Sequence, residues 1–133
     1  MVPKMLMMLA VICASFSSGC SSAQTERASR QMRQPDITLA DGKILTDVFL
    51  ADDEAEKSVT IFYRTAVPLS NCKELQAEVR EVWSRNLRAE ADRRNALNAI
   101  LFPEDRGGNS RDFTYKRNTD TDWREWNFGS CVQ

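Results

Sequence analysis

The sequence predicts an α+β fold: an antiparallel-rich sheet with one main helix packed on one face, in the order β-α-β-β-β, and a hairpin that fits ahead of them. Three observations predict it. Residues 59–65 alternate with a period of two, Val59, Ile61 and Tyr63 facing one way and Thr60, Phe62 and Arg64 the other. Beyond Asn71 the period becomes helical, and at about 100° per residue Leu75, Val79, Val82 and Trp83 share one stripe with Leu87 on its edge. After residue 96 come three short runs, apolar or alternating, separated by turn residues and too short for helices.

Taken in order, the chain opens with a positive start ending at Lys4, an uncharged apolar run over 5–14, and small residues up to Ala23. That tripartite order is the pattern of a removable secretory signal, here residues 1–19. The apolar run is too short to span ~30 Å of hydrocarbon as a permanent helix. Residues 20–35 are polar, carry Arg27, Arg30 and Arg33, and lack any periodicity, so they are expected to be a flexible tether. A single globular domain is expected over 36–133.

Within it, 36–50 alternates loosely around Asp41 and Gly42, a good hairpin turn. Residues 52–56 read as an acidic connector, and 59–65 is the clearest strand. Pro68 breaks that strand. Asn71 with Glu74 three residues later forms a capping box that starts the helix, which is expected to run to about Ala91. Lys73, Glu74, Glu78, Arg80, Glu81, Arg85 and Arg88 fall on its polar side, with Glu81 and Arg85 as an i,i+4 pair. Residues 97–102 read as a buried strand stopped by Pro103, 105–110 as a loop, 112–117 as an alternating strand, 118–122 as a turn, and 123–128 as the last strand.

The junction at Ser18, Gly19 and Cys20 resembles the lipobox of bacterial lipoproteins, although Ser17 stands where that family usually has Leu. The resemblance implies that Cys20 is acylated and becomes the first residue, anchoring the protein in a membrane. Ser21 in place of Asp implies the outer membrane, with the domain facing the periplasm. The alternative is a soluble secreted protein cut after Ala23. The domain, through Phe62, Tyr63, Arg64, Pro68, Glu78, Val79, Val82, Trp83, the 99–101 strand and Trp123, is similar to small exported bacterial proteins of unknown function. That likeness implies a shared fold and brings no activity.

If Cys13 leaves with the signal and Cys20 carries lipid, Cys72 and Cys131 remain in an oxidising compartment, where a structural disulfide is expected. Cys72 falls between Val79 and Trp83 around the helix and so faces the core. Closing a loop of about 60 residues would stabilise the domain by roughly 4 kcal/mol.

Composition narrows the chemistry. With 42% hydrophobic and 28% charged residues the chain is an ordinary globular protein rather than a disordered one. It has 18 basic and 19 acidic residues; loss of Lys4 with the signal leaves 17 against 19, a net charge of −2, so no nucleic-acid partner is expected. There is no histidine, which removes Ser-His-Asp and Cys-His catalysis and His-ligated zinc. No catalytic, cofactor or metal site is expected. Asn118, Asp120 and Asp122 open like a calcium loop, but Trp123 stands where Gly is needed and Gly129 where a bidentate Glu is needed. The acids at 52–56 with Glu104 or Asp105 would serve as glycosidase carboxylates only at a separation of about 5–9 Å, and such groups are mostly solvated. Gly107 and Gly108 lack the Lys of a phosphate loop. Arg80, Arg85, Arg88, Arg93 and Arg94 are interleaved with glutamates and read as a mixed solvated face. Trp123 and Trp126, three apart in a strand, point opposite ways, so one is a candidate interface anchor.

The resulting expectation is a non-enzymatic envelope lipoprotein acting as a binding module, with the membrane and an envelope protein as partners. A periplasmic immunity or inhibitor protein against a toxin or lysozyme-like enzyme is the first alternative, marked by an exposed Trp or acidic tip on the 103–111 or 118–122 loops. A small carboxylate-dependent envelope hydrolase is the second.

Overall fold

Seven strands and one interrupted helix form in the computed structural model, which describes residues 32–129. They are β1 (Met32–Arg33), β2 (Ile37–Thr38), β3 (Ile44–Asp53), β4 (Ser58–Arg64), helix α1 (Cys72–Val82), a π turn (Trp83–Leu87), helix α2 (Arg88–Arg93), β5 (Asn98–Glu104), β6 (Phe113–Lys116) and β7 (Arg124–Phe128). The sheet runs β1-β3-β4-β5-β6-β7, with β2 also on β3. Every neighbouring pair is antiparallel except β4 and β5, which are parallel because the helix carries the chain back between them. The fold is α+β, with an open sheet and the helix on one face.

The expected hairpin forms and is longer than its alternation showed. Gly42 turns it at φ 93°, and Leu39 donates to the Lys43 carbonyl at 2.8 Å. Its first strand begins at Met32, inside the stretch expected to be tether, and Gln34 N–H bonds the Val48 carbonyl at 2.8 Å. Arg33 stacks over Phe49 at 5.0 Å and reaches Asp47 at 3.8 Å, so a polar segment without apolar periodicity still completes an edge. The acidic connector is likewise shorter: Asp52 and Asp53 belong to β3, and Asp53 pairs with Ser58 across a tight turn in which Lys57 adopts φ 52°.

A β-bulge at Asp47 (φ 51°) gives β3 one more residue than β4 between the Thr46–Arg64 and Phe49–Phe62 pairs. The extra residue switches the parity of the strand. Leu45 on one side of it and Val48 and Leu50 on the other are therefore all buried on the helix side. Pro103 does not stop β5; it pairs with Tyr63 of β4, and on its other side, two residues beyond the last β6 partner, its carbonyl still accepts from Arg111 N–H at 3.4 Å, so only the bond its missing N–H would make is lost at the end of the ladder.

Asn71 caps α1, its side chain accepting from Glu74 N–H at 3.5 Å and donating to the Glu74 carboxylate at 2.9 Å. At 3.6 residues per turn Leu87 and Ala91 would drift about 120° and 160° from Leu75, away from the sheet. The π turn absorbs one extra residue and rotates both back, so Leu75, Val79, Val82, Leu87 and Ala91 are all fully buried. Glu78, expected on the polar side, is only 6% exposed, because its position flanks the stripe and the side chain reaches Tyr63 and Thr65 of the sheet. The core is completed by Val59, Ile61, Tyr63, Ala99, Leu101, Phe113 and Tyr115. Trp83 stacks on Tyr115 at 4.2 Å.

Candidate functional site

Strand alternation sends every second side chain to the face away from the helix, and there the register lines them up in rows. Phe49 pairs with Phe62 and Phe62 with Phe102, a phenylalanine row across β3, β4 and β5. The last two rings stack at 5.3 Å and 9°. The next row is Ala51, Thr60, Ile100, Thr114 and Asn127, and the third is Asp53, Ser58, Asn98, Lys116 and Arg124. The face is thus graded from aromatic through hydroxyl and amide to cationic. No described helix or strand lies over it, and Phe49, Phe102 and Ile100 are half-buried rather than enclosed.

A second bulge shapes the cationic end. Thr114 pairs with Asn127 but Tyr115 with Glu125, leaving Trp126 as the extra residue of β7. Trp126 is 58% exposed, with Lys116 over its ring at 4.6 Å and Arg124 at 5.6 Å. The bulge also lets Glu125 and Phe128 both face the helix, where Glu125 pairs with Arg80 at 2.7 Å and Phe128 meets Phe113 edge-on.

The two candidate anchors therefore separate. Trp123 sits edge-on to Trp83 at 5.0 Å, lies under the Arg117 guanidinium, and donates its indole N–H to Asp92 at 2.8 Å, which fixes the start of β7 to α2. Trp126 alone faces solvent. The exposed indole is on a strand, not on the 103–111 or 118–122 loops where a plugging inhibitor would carry it. In the first of these loops Asp105 is folded inward, accepting from Gly107 and Asn109 N–H groups at 2.9 Å.

Asp122 of the calcium-like turn is engaged by Arg88 at 2.9 Å and by Trp123 N–H at 2.7 Å, and among the described residues no cluster of three metal-binding side chains forms. The helix arginines are each paired: Arg80 with Glu125, Arg85 with Glu81, Arg88 with Asp122, Arg93 with Glu90, and Arg94 with Glu90 and Asp52. Two carboxyls are perturbed: Glu90 is lowered by its hydrogen bond from Arg94, and Glu78 is raised. Burial pushes its pKa up, opposed by the Thr65 and Tyr63 hydroxyls and Lys43, and its Oε2 and the Tyr63 hydroxyl lack a well-formed hydrogen bond. Tyr63 is itself raised well above the usual phenol value by burial and by Glu78. A carboxyl enclosed in this way between helix and sheet cannot meet a polymer substrate.

Cys72 is half-buried at the first turn of α1 and is disulfide-bonded, with its partner outside the described residues. Arg111 reaches both the Cys72 sulfur, at 3.7 Å, and the Gly129 carbonyl, which brings the end of β7 to the start of the helix. Cys20, the signal and Cys131 lie outside the described residues. Among the described residues no helix is long and apolar enough to cross a membrane.

Sequence reasoning passed over the phenylalanine row. Its signal was present, since Phe62 and Phe102 stand at the parity opposite the core residues. Strands apolar on both faces, however, read as strands covered on both faces. No family model, characterised protein or solved structure matches the chain.

Proposed function

We propose that this chain is an exported bacterial envelope protein, anchored by lipid on Cys20, whose domain is a non-enzymatic binding module that recognises its partner through the open face of the sheet. The observation that carries the recognition half is the graded face, from Phe49 and Phe102 to the exposed Trp126. A contiguous apolar surface rimmed by polar groups marks an interaction site, and a half-exposed aromatic gains most when a partner removes it from water. The anchoring half rests on the signal and the Cys20 junction. The absence of histidine and the enclosure of Glu78 favour binding over catalysis. Cys131 is the natural partner of Cys72, because Gly129, two residues before it, is already held beside the Cys72 sulfur by Arg111.

Mass spectrometry of the protein from its native membrane tests the anchoring: a diacylglyceryl adduct on Cys20 and a peptide pair joined through Cys72 and Cys131 are expected. An unmodified chain that still begins at Met1 would refute it. For recognition, a photo-crosslinking residue at Phe102 should capture an envelope component, and the same residue at Arg85, on the helix, should not. Equal labelling from both positions would show that the open face is not the recognising surface.

A further inference from the structure

We propose that the cationic corner of the open face, around Trp126, is a binding site for an acidic saccharide, a sugar ring that carries a carboxylate. This inference rests on the reading of the open face as a recognition surface, and names the chemistry taken up at one end of it.

Three observations converge there. Lys116 and Arg124 are direct cross-strand partners, a like-charge arrangement that destabilises a sheet. Neither has a carboxylate partner among the described residues, although Arg80, Arg85, Arg88, Arg94 and Arg117 all do. Both rest instead against the Trp126 ring, a contact that is weak at an exposed site and is readily exchanged for a charge-assisted bond to a carboxylate. An incoming carboxylate would relieve the repulsion and satisfy both cations.

The ground beside the indole is concave. One hollow of ≈ 480 Å³ is walled by Ser58, Asn98, Thr114 and Asn127 with Trp126, and a second of ≈ 350 Å³ by Asn98, Asn118, Lys116, Arg124 and Trp126. Both fall in the range of small-molecule sites, about 300–1,000 Å³. Hydroxyls and carboxamides are donors and acceptors in one group, as sugar hydroxyls require. The indole offers the apolar surface that the C–H face of a sugar ring covers. Glu56 lines the larger hollow but not the one that holds Arg124. A nucleic acid suits the corner less well, because the chain has a net charge of −1 and gives a polyanion no long-range attraction.

The test uses the full domain with its disulfide intact and follows the indole N–H signals of the three tryptophans by NMR, with Trp126 assigned by its loss in Trp126→Phe. The probes are trigalacturonate, the neutral cellotriose, and inorganic phosphate. Trigalacturonate should shift the Trp126 signal saturably. Lys116→Gln and Arg124→Gln should each weaken it roughly tenfold, the loss of one charge-assisted bond. Trp126→Ala, which lacks the reporting indole, should abolish the saturable shifts that trigalacturonate causes at the backbone amides of Lys116 and Arg124. Unchanged Trp83 and Trp123 signals report that the variants are folded, since both rings pack on the core. The proposal is overturned if trigalacturonate produces no shift up to about 10 mM, if cellotriose binds equally well, or if phosphate alone matches it, which would mark an adventitious anion only. Any of those results with Phe102 crosslinking intact removes this inference and leaves the wider reading of the face standing; loss of both removes the wider reading too.

Discussion

The two faces of the sheet are made by the same strands, often by adjacent residues, and they end in different states. Tyr63 is 1% exposed and Leu101 is fully buried, while their neighbours Phe62 and Phe102 stay half-open on the other side. Both faces are apolar in their middle strands. The difference lies in what packs on them: one interrupted helix with one apolar stripe can close one face only. Apolar character therefore reports the capacity to bury and does not establish that burial has occurred. On the closed face that capacity supplies stability, and on the open face no described helix or strand takes it up.

This contrast can be broken or sharpened by substitution. The largest effect is expected from Phe113→Ala on the closed face, which should lower unfolding free energy by roughly 3–5 kcal/mol in urea titration. Removal of the covalent clamp at the helix start, Cys72→Ser, should cost about 2–4 kcal/mol in non-reducing buffer and little when reductant is already present. A full loss in both conditions would mean that packing, not the bridge, is what the substitution removes. Phe102→Ala on the open face should cost only about 1–2 kcal/mol, in proportion to its partial burial. If it equals Phe113→Ala, the open face is covered in the folded protein and the contrast fails.

The smallest effect has the opposite sign. Glu78 is buried with a pKa above the ordinary carboxylate range. Below that range the group is protonated in both folded and unfolded chains and has no effect on the balance. As pH rises, the unfolded chain releases its proton first, so stability falls until the folded-state pKa is passed and the full burden of a buried charge is present. Glu78→Gln should remove this slope and stabilise the domain near pH 7 by on the order of 1 kcal/mol. Thermal melts of both proteins at pH 4 and pH 7 check it; a substitution that destabilises at pH 7 would show that the ionised form has a partner.

Much of the fold was legible because its causes are local. The 41–42 turn, the Asn71 cap, the stripe through Leu75, Val79 and Val82, and the alternation over 59–65 each depend on residues within a few positions of one another. What escaped depends on register with distant segments. Asp47 is an unremarkable strand residue until β4 pairs with one residue fewer. Pro103 reads as a stop until β4 on one side and Arg111 on the other carry the strand past it. Glu78 reads as solvated until Tyr63 and Thr65 lie beneath it. The site was partly legible: Trp126 was one of two candidate anchors, and the phenylalanine row was hidden because its members lie about 13 and 40 residues apart in the chain.

By itself the sequence determined where the chain turns and, apart from β1 and the ends of β3 and β5, which stretches are helix and strand. Only the tertiary structure decided which side the helix closes, and where an extra residue in β3 and in β7 moves Val48 inward and Trp126 outward. The physical reason is the period of two in a strand. A single inserted residue exchanges inside for outside, and whether an insertion exists is a property of two strands together, fixed by packing against the helix rather than by either strand alone.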